Sequence, residues 1–558
     1  MSFDIKKHKN DLIFIPLGGA GEIGMNVNLY QYKGQWLMVD LGAGFTDDYF
    51  PGIDLMVAEI EYISKQKDKL LGIVLTHAHE DHLGAVQYLW QDLRCPIYTT
   101  KFTANFLRSK LKETNFIRDI NIIEIEQNSI TQIGPFSVET VPLSHSTPEM
   151  QSLMIRTDLG NIFHTGDWKF DHNPLIGDPN DRKQLQKLGE EGVLVMIGDS
   201  TNVFNDTFSG SEGDLRASLI ELVKGCKKTV VITTFASNVA RMETVLKAAE
   251  EAGRKVVLAG RSLWRILEAA QASGYLLDIP PVLRPDQVGN IKREKLLIMS
   301  TGCQGEAMAA TTKMANNAHP NLKLVAGDTV IFSSKIIPGN EKKIFRLLNQ
   351  LISQGVEVFT EKEHFVHVSG HPSQGELKLM YDLIRPQIAL PVHGELMHIH
   401  EHIRLAKSWG VPGTVQVTNG DVVRLAPGEA KVIDKVESGY LGIDGHFLLP
   451  GNSHILKARR RLQESGVVFI VLMLNEKNQM VMPPVIKAPG VLDIEEDKMI
   501  VTQMAKEVHK ALANLMGTVA HKKQRADVVE STVRTAIRSV LKQEVGKSPM
   551  IEVELVYV

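Results

Sequence analysis

The run His77-Ala78-His79-Glu80-Asp81-His82 follows directly on the apolar stretch Gly72-Ile73-Val74-Leu75-Thr76, so four metal-ligand side chains crowd into six residues at the end of a strand. Imidazole and carboxylate together suit zinc or manganese, and such crowding fixes most of a coordination sphere at once. Three more post-strand loops carry ligand-type residues. His145 follows a strand ending at Val141, Asp167 lies in His164-Thr165-Gly166-Asp167-Trp168, and His393 follows Ile388-Ala389-Leu390-Pro391-Val392. Taken singly, a histidine after a strand is ordinarily a hydrogen-bonded structural residue. Taken together they give five His and two Asp, the number a dinuclear site needs, and loops that each follow a strand can converge on one edge of a sandwich. A carboxylate bridging two divalent ions about 3.5–4 Å apart suits in-line attack on a phosphodiester.

The charge balance narrows the partners. Lys+Arg 62 against Asp+Glu 65 leaves a net charge of −3, so no global positive field announces a nucleic-acid binder. A polyanion site must then be a local basic cleft, or be built from metal ions and backbone amides. Cys95, Cys226 and Cys303 are few, odd in number and scattered, which fits a reducing compartment and argues against a disulfide framework. Met1 to Asn10 carries no apolar leader and no segment reaches the length of a membrane span, so the expectation is a soluble, cytoplasmic protein.

Periodicity gives the architecture. Gly19-Ala20-Gly21-Glu22-Ile23-Gly24 satisfies a dinucleotide-binding pattern, and Asp40 lies near the distance of a ribose-binding acid. The context fails, because Asn26 to Tyr32 has the period of a strand where a helix is required. The glycines are expected to shape a turn beside the metal cleft. Strand-like runs then follow with few helices between them, which predicts a sandwich with outer helices. From about residue 206 strands alternate strictly with helices at 238–252, 262–272, 306–316 and 341–353, the pattern of a parallel, helix-covered sheet. A loop-like stretch over 431–460 ends in Lys457-Ala458-Arg459-Arg460-Arg461, and the tail reads as a small α+β domain.

With these residues in hand a resemblance becomes specific. His77, His79, Asp81, His82, His145, Asp167 and His393 match, in order and context, the ligands of the metallo-β-lactamase fold. The alternating insert between Asp167 and His393 resembles the β-CASP domain of nucleases in that superfamily. Gly198-Asp199-Ser200-Thr201-Asn202, His367-Val368-Ser369-Gly370-His371 and Val392-His393-Gly394-Glu395 resemble that group's signatures. Gly18 to Gly24, Thr234-Phe235-Ala236-Ser237-Asn238, Ser300 to Glu306 and Ser334 to Glu341 look like loops of the ribonuclease J family. Cys303, where a serine is expected, and Gly42 to Asp48 depart from that pattern without touching a metal ligand.

The resemblance implies an α/β chain: a metallo-β-lactamase αββα sandwich over 1–206 and 367–430, an inserted parallel β-CASP domain over 207–366, a linker over 431–460 and a C-terminal α+β domain over 461–558 that serves oligomerisation and RNA binding. It implies two divalent ions per chain, zinc or alternatively manganese. One is held by His77, His79 and His145, the other by Asp81, His82 and His393, with Asp167 bridging and a hydroxide between the ions as nucleophile. Asp199 is implied as proton donor and His371 as acceptor. His367, Val368, Ser369, Gly370 and His371 form an expected nest for a substrate phosphate, with Ser237 and Asn238 at a helix start as a second seat. The implied activity is hydrolysis of single-stranded RNA, 5′-to-3′ with a preference for a 5′-monophosphate, plus endonuclease cleavage, in RNA maturation and decay. The implied assembly is a homodimer or homotetramer, with RNA-degradation partners and no membrane. Arg459 to Arg461 and His521 to Arg525 are basic runs that would either contact RNA or remain solvated. Two other readings stay open: a DNA-processing β-CASP nuclease, and a catalytically silent RNA-binding scaffold, which ought to have lost ligands.

Overall fold

In the strand Leu12–Gly18 every residue is buried, and Leu12 and Phe14 face one cluster while Ile13 and Ile15 point the other way. That two-residue period is what a strand with both faces covered requires. The computed structural model describes residues 3–46, 50–177, 180–337, 339–476, 479–493, 495–515 and 522–558. Side chains of the basic stretch 521–525 lie outside the described residues. The chain divides into two compact units, 1–45 with 55–440, and 46–54 with 441–558.

The first unit is built on two facing sheets. An eight-stranded sheet runs Lys431–Lys435, Asp421–Ala426, Leu12–Gly18, Val27–Tyr32, Gln35–Val39, Leu70–Val74, Ile97–Thr99, Ile122–Glu124. A seven-stranded sheet runs Ile130–Ile133, Phe136–Pro142, Gln151–Thr157, Gly160–His164, Val195–Asp199, Ile388–Val392, Gly413–Thr414. Phe14, Tyr30, Leu37 and Val39 of the first meet Phe136, Leu153, Ile155, Ile162, Ile197 and Leu390 of the second. Each such buried side chain contributes about 1.5–3 kcal/mol. The alternate residues Met154, Phe163, Met196 and Ala389 pack outward against Leu185, Met380, Ile384 and Leu405 of three covering helices. The αββα sandwich is thus specified by alternation along single strands.

Two strands of the second sheet set the site. Val195–Asp199 and Ile388–Val392 pair in parallel with Asp199 beside Val392, although the whole insert separates them in sequence. The insert is a six-stranded sheet whose pairs are all parallel, in the order Val282–Leu283, Lys255–Ala259, Leu296–Ser300, Val230–Thr233, Thr329–Phe332, Glu357–Phe359. Helices Val239–Glu251, Arg261–Ser273 and Glu341–Ser353 lie within two residues of their expected bounds. The helix expected over 306–316 forms only over Ala310–Ala315. Before it, Gly302 and Gly305 take φ of 112° and 75°, and the Gln304 carboxamide bonds Lys335 O and Ile337 N, holding those residues in a loop.

The stretch 431–460 carries regular structure where a loop-like linker is expected. Lys431–Lys435 pairs with Asp421–Ala426, Tyr440–Asp444 and Phe447–Pro450 form a hairpin, and Ser453 caps the helix His454–Ser465. Arg459 of the basic run forks onto Asp444 at 3.1 and 2.7 Å. In the second unit Val467–Leu474 lies between Val485–Lys487 and the parallel strand Met550–Tyr557, packed on helices Lys498–Asn514 and Lys522–Glu544.

Candidate metal centre

The strand Leu70–Val74 ends at a turn in which His79 precedes the short helix Glu80–Leu83, and this turn aims His77, His79, Asp81 and His82 at one point. The strand Phe136–Pro142 delivers His145, Gly160–His164 delivers Asp167, and Ile388–Val392 delivers His393. Two ligand groups result. His77, His79, His145 and Asp167 form one, and Asp81, His82, Asp167 and His393 the other, with the ligand atoms of each within 4.8 Å of one another. Asp167 belongs to both. Its Oδ2 lies 3.0 Å from His82 Nε2, 3.3 Å from His393 Nε2, 3.7 Å from His77 Nε2 and 3.9 Å from His145 Nε2. The seven expected ligands therefore converge, five of the side chains being nearly fully buried.

Whether these residues fit metal is answered by what their nitrogens do. His77 Nδ1 bonds the Thr76 hydroxyl at 2.9 Å, His82 Nδ1 bonds Asp40 at 2.7 Å, His145 Nδ1 bonds Gly370 O at 2.6 Å and His393 Nδ1 lies 3.0 Å from the Asn26 amide. Each leaves Nε2 pointing inward. His79 is turned round, with Nε2 on Ser146 Oγ at 3.1 Å and Nδ1 inward. Among the described residues, buried His77 Nε2, His393 Nε2 and Asp167 Oδ1 have no hydrogen-bond partner. Such orphaned atoms are costly in a finished protein interior and are what a cation would satisfy.

The electrostatics divide the cluster. Burial pushes His77 and His145 well below the usual imidazole range and His79 down to about 4, which leaves them neutral, the form that ligates. For His82 and His393 burial works the same way, but the Asp167 carboxylate with its acidic neighbours outweighs it and raises both. Burial also opposes the Asp167 charge, and His393 and His82 outweigh it, holding Asp167 well below the carboxylate range.

Several supporting residues have no counterpart among the sequence-derived candidates. Asp40, at φ 64°, takes the backbone and hydroxyl of Thr76 as well as His82. Its signal was present, since it follows the strand Gln35–Val39 as the candidate ligands follow theirs. The glycine loop proves to be a cradle: Ala20–Gly21 pairs with Gly394–Glu395, and Gly19 O accepts from His393 N at 2.6 Å, holding His393 at φ 52°. Such backbone values are sparse for residues other than glycine and persist when surroundings over-determine them.

Asp199 and His371 meet beside the cluster. His371 Nδ1 lies 2.8 Å from Asp199 Oδ2 and 3.9 Å from Asp167 Oδ2. Burial lowers the His371 pKa, and the Asp199 and Asp167 carboxylates overcome it and lift it to about 9. In the adjoining loop His367 Nδ1 is buried without a partner among the described residues, and Ser369 Oγ accepts from His371 N at 3.1 Å. His367 is driven well below its usual value by burial and by the charges of Arg241, Lys335 and Lys169. Two of the expected substrate contacts are otherwise engaged. Val368 is buried, its Cγ1 2.9 Å from where a Cβ on Gly210 would lie, so its side chain is packed against the crossing at Gly210. Asn238 is also buried: Oδ1 caps the helix Val239–Glu251 through Arg241 N, and Nδ2 donates to Glu212. Helix capping explains Asn238, worth about 1 kcal/mol, and leaves half-buried Ser237 as the residue of that pair free of the cap.

Similarity to known proteins extends along most of the chain. Family models match as Metallo-beta-lactamase superfamily over 21–233, Ribonuclease J, beta-CASP domain over 227–351, Zn-dependent metallo-hydrolase RNA specificity domain over 355–412, and Ribonuclease J C-terminal domain over 454–557. A protein of unknown function from Enterococcus faecalis has a solved structure that superposes with a TM-score of 0.50 at 18% identity, covering 74% of this chain and 99% of its own. The chain is 33% identical to Ribonuclease J 1 of Streptococcus pyogenes over 98% of both chains, and 39% identical to Ribonuclease J of Sinorhizobium meliloti over 97% of both. On that full-length identity, the chain belongs to the Ribonuclease J family.

Proposed function

We propose that this chain is a metal-dependent ribonuclease that removes nucleotides from the 5′ end of single-stranded RNA, prefers a 5′-monophosphate and also cuts internally. The observation that carries the reading is Asp167, the shared corner of two ligand groups. His77, His79 and His145 would hold one divalent ion and Asp81, His82 and His393 the other, with Asp167 between; zinc is proposed, with manganese the alternative. When bound, such a pair supplies Lewis acidity at a phosphodiester.

The chain's own residues account for the remaining needs. A departing 3′-oxygen requires a proton, and the hydrogen-bonded Asp199–His371 pair is the place to hold and deliver it. The loop 367–371 gathers a half-buried serine and His367, whose Nδ1 has no partner among the described residues, and these suit a phosphate of limited charge. Ser237 is kept as a second contact. All seven ligand positions are filled, which speaks against a silent scaffold. The same reading includes a homodimer or homotetramer, RNA-degradation partners and a place in the cytoplasm. Among the described residues no helix is long and apolar enough to cross a membrane.

Digestion of 5′-end-labelled against internally labelled single-stranded RNA and DNA, with and without chelator, tests the proposal. Mononucleotide release from the 5′ end of RNA is expected only with metal. Preferential cleavage of DNA would favour the DNA-processing alternative.

A further inference from the structure

The chain leaves the sandwich along residues 200–212 and returns to it along 366–373, and both crossings border the metal cluster. They are bound side by side. Gln374 N donates to Asn205 O at 2.9 Å, Asn202 Nδ2 to Ser373 Oγ at 2.9 Å, and the Ser209 hydroxyl to His371 O. Glu376 takes both Ser209 N at 3.1 Å and Ser373 N at 2.8 Å.

A buried cation stands on each side of this pair of crossings. On the sandwich side Lys169 bonds Gly210 O at 3.0 Å and Asp171 at 3.1 Å, and Asp171 accepts from Glu212 N. On the insert side Arg241 is 0% exposed. Its Nε and Nη2 fork onto Glu212 at 3.1 and 2.9 Å, and Nη1 donates to Ser333 O at 2.9 Å and Val366 O at 3.3 Å. The Ser333 hydroxyl donates to the same Val366 carbonyl at 2.6 Å. One guanidinium thus joins the start of the helix Glu212–Gly225, its own helix, the end of the strand Thr329–Phe332 and the residue immediately before His367.

Stability alone is a poor reason for such an arrangement, because a buried ion pair is often no more stabilising than apolar residues of similar volume. What a guanidinium provides is direction. Its planar fork fixes the angle between the groups it binds, which an ammonium or a methyl group cannot do. The direction matters here because the segment leaving Val366 must deliver the Gly370 carbonyl to His145 and His371 to Asp199, contacts of 2.6 and 2.8 Å.

We propose that Arg241 is a positioning residue for the reaction: without touching RNA, it sets the loop 367–371 from the insert side, so that the insert's packing decides how His371 and Gly370 meet the metal cluster. The proposal rests on the ribonuclease reading only for its kinetic readout. It gives the insert a mechanical part in catalysis besides any contact with substrate.

The test compares wild type with R241K, R241M and the double variant E212L/R241M. Thermal midpoint, hydrogen exchange of peptides covering 365–372, and kcat and KM on a 5′-monophosphorylated RNA oligonucleotide are measured on each. R241M is expected to lower both midpoint and turnover, since it strands the Glu212 carboxylate. The double variant removes that stranded charge and is expected to regain most of the midpoint while loop exchange stays fast and kcat stays about tenfold or more below wild type, with KM changed less. Recovery of kcat and loop protection along with the midpoint would overturn the proposal. R241K keeps the charge opposite Glu212 and guards against a double variant that fails to fold. It is expected to fold with the same loop and kcat defects, and wild-type values in R241K would likewise overturn the proposal. A wild-type protein that leaves RNA intact removes the ribonuclease reading, while loop exchange still decides the role of Arg241.

Discussion

His145 Nδ1 lies 2.6 Å from the carbonyl oxygen of Gly370, so a histidine of the candidate metal cluster is oriented by the loop that also carries His371. The two residues come from opposite sides of the insert. Their contact makes the ligand geometry depend on how that loop is seated, and it fixes which His145 nitrogen faces Asp167.

A Cβ on Gly370 would lie 2.8 Å from His145 Cε1 and 3.0 Å from Nδ1. Gly370→Ala should therefore displace the imidazole and weaken the ion at His77, His79 and His145 by about 10–100-fold, as loss of an outer partner ordinarily does. Chelator competition with the purified variant measures this. Wild-type affinity would mean that the loop yields to the methyl group and does not orient His145.

Asp40 is fully buried, and its Oδ2 holds His82 Nδ1 while its Oδ1 takes Thr76 N at 2.8 Å. Asp40→Asn keeps the volume and removes the charge that orients the imidazole. The ion at Asp81, His82 and His393 should be lost at a chelator concentration about 10–100-fold lower than in wild type, with the other ion retained. Parallel loss of both ions would argue that Asp40 supports the whole edge.

Asp199→Asn and His371→Ala should each lower turnover by about a hundredfold or more, in the range a positioned proton-transfer group contributes. Metal content, read by elemental analysis, should stay at the wild-type level. A variant that loses metal would have to be reassigned as ligand support. For His371 that outcome carries weight, because Asp167, Asp199, His371 and His393 also lie within ligand distance of one another.

The Glu212–Arg241 pair predicts a pH signature. Burial works against the Glu212 charge, and the Arg241 guanidinium outweighs it, holding the carboxyl below its ordinary 4.5. A depressed carboxyl adds stability above its unfolded value and loses it as the pH falls through its folded value. The thermal midpoint of wild type should exceed that of Glu212→Gln at pH 7, and the gap should close below about pH 4.5. A gap that persists unchanged at pH 3 would assign the difference to packing.

Much of this molecule was legible in its sequence because local pattern coincides with tertiary demand. The unbroken apolar run of Leu12–Gly18 declares a strand covered on both faces, and strict strand–helix alternation declares the parallel insert. The candidate ligand positions that converge here were legible because each follows a strand end. The supports were not. The Gly370 carbonyl and the Asn26 amide act through atoms whose meaning depends on what folds against them. Asn238 shows the opposite case: its place at a helix start suits a phosphate and a cap equally, and only the folded contacts, Arg241 N donating to Oδ1 and Nδ2 donating to the Glu212 carboxylate, favour the cap. The regular elements across 431–460 were hidden for a further reason. Short strands such as Tyr440–Asp444 and Phe447–Pro450 have too few residues to show a period.

In the proposed reading Asp167 joins two ion sites into one reaction centre. Metal-free protein titrated with zinc or with manganese, while cleavage of a 5′-monophosphorylated single-stranded RNA is followed, tests it most directly. Activity should rise to a plateau at about two equivalents per chain, and Asp167→Ala should bind fewer ions and stay inactive at any concentration. Full activity at one equivalent, or after complete chelation, would contradict the account.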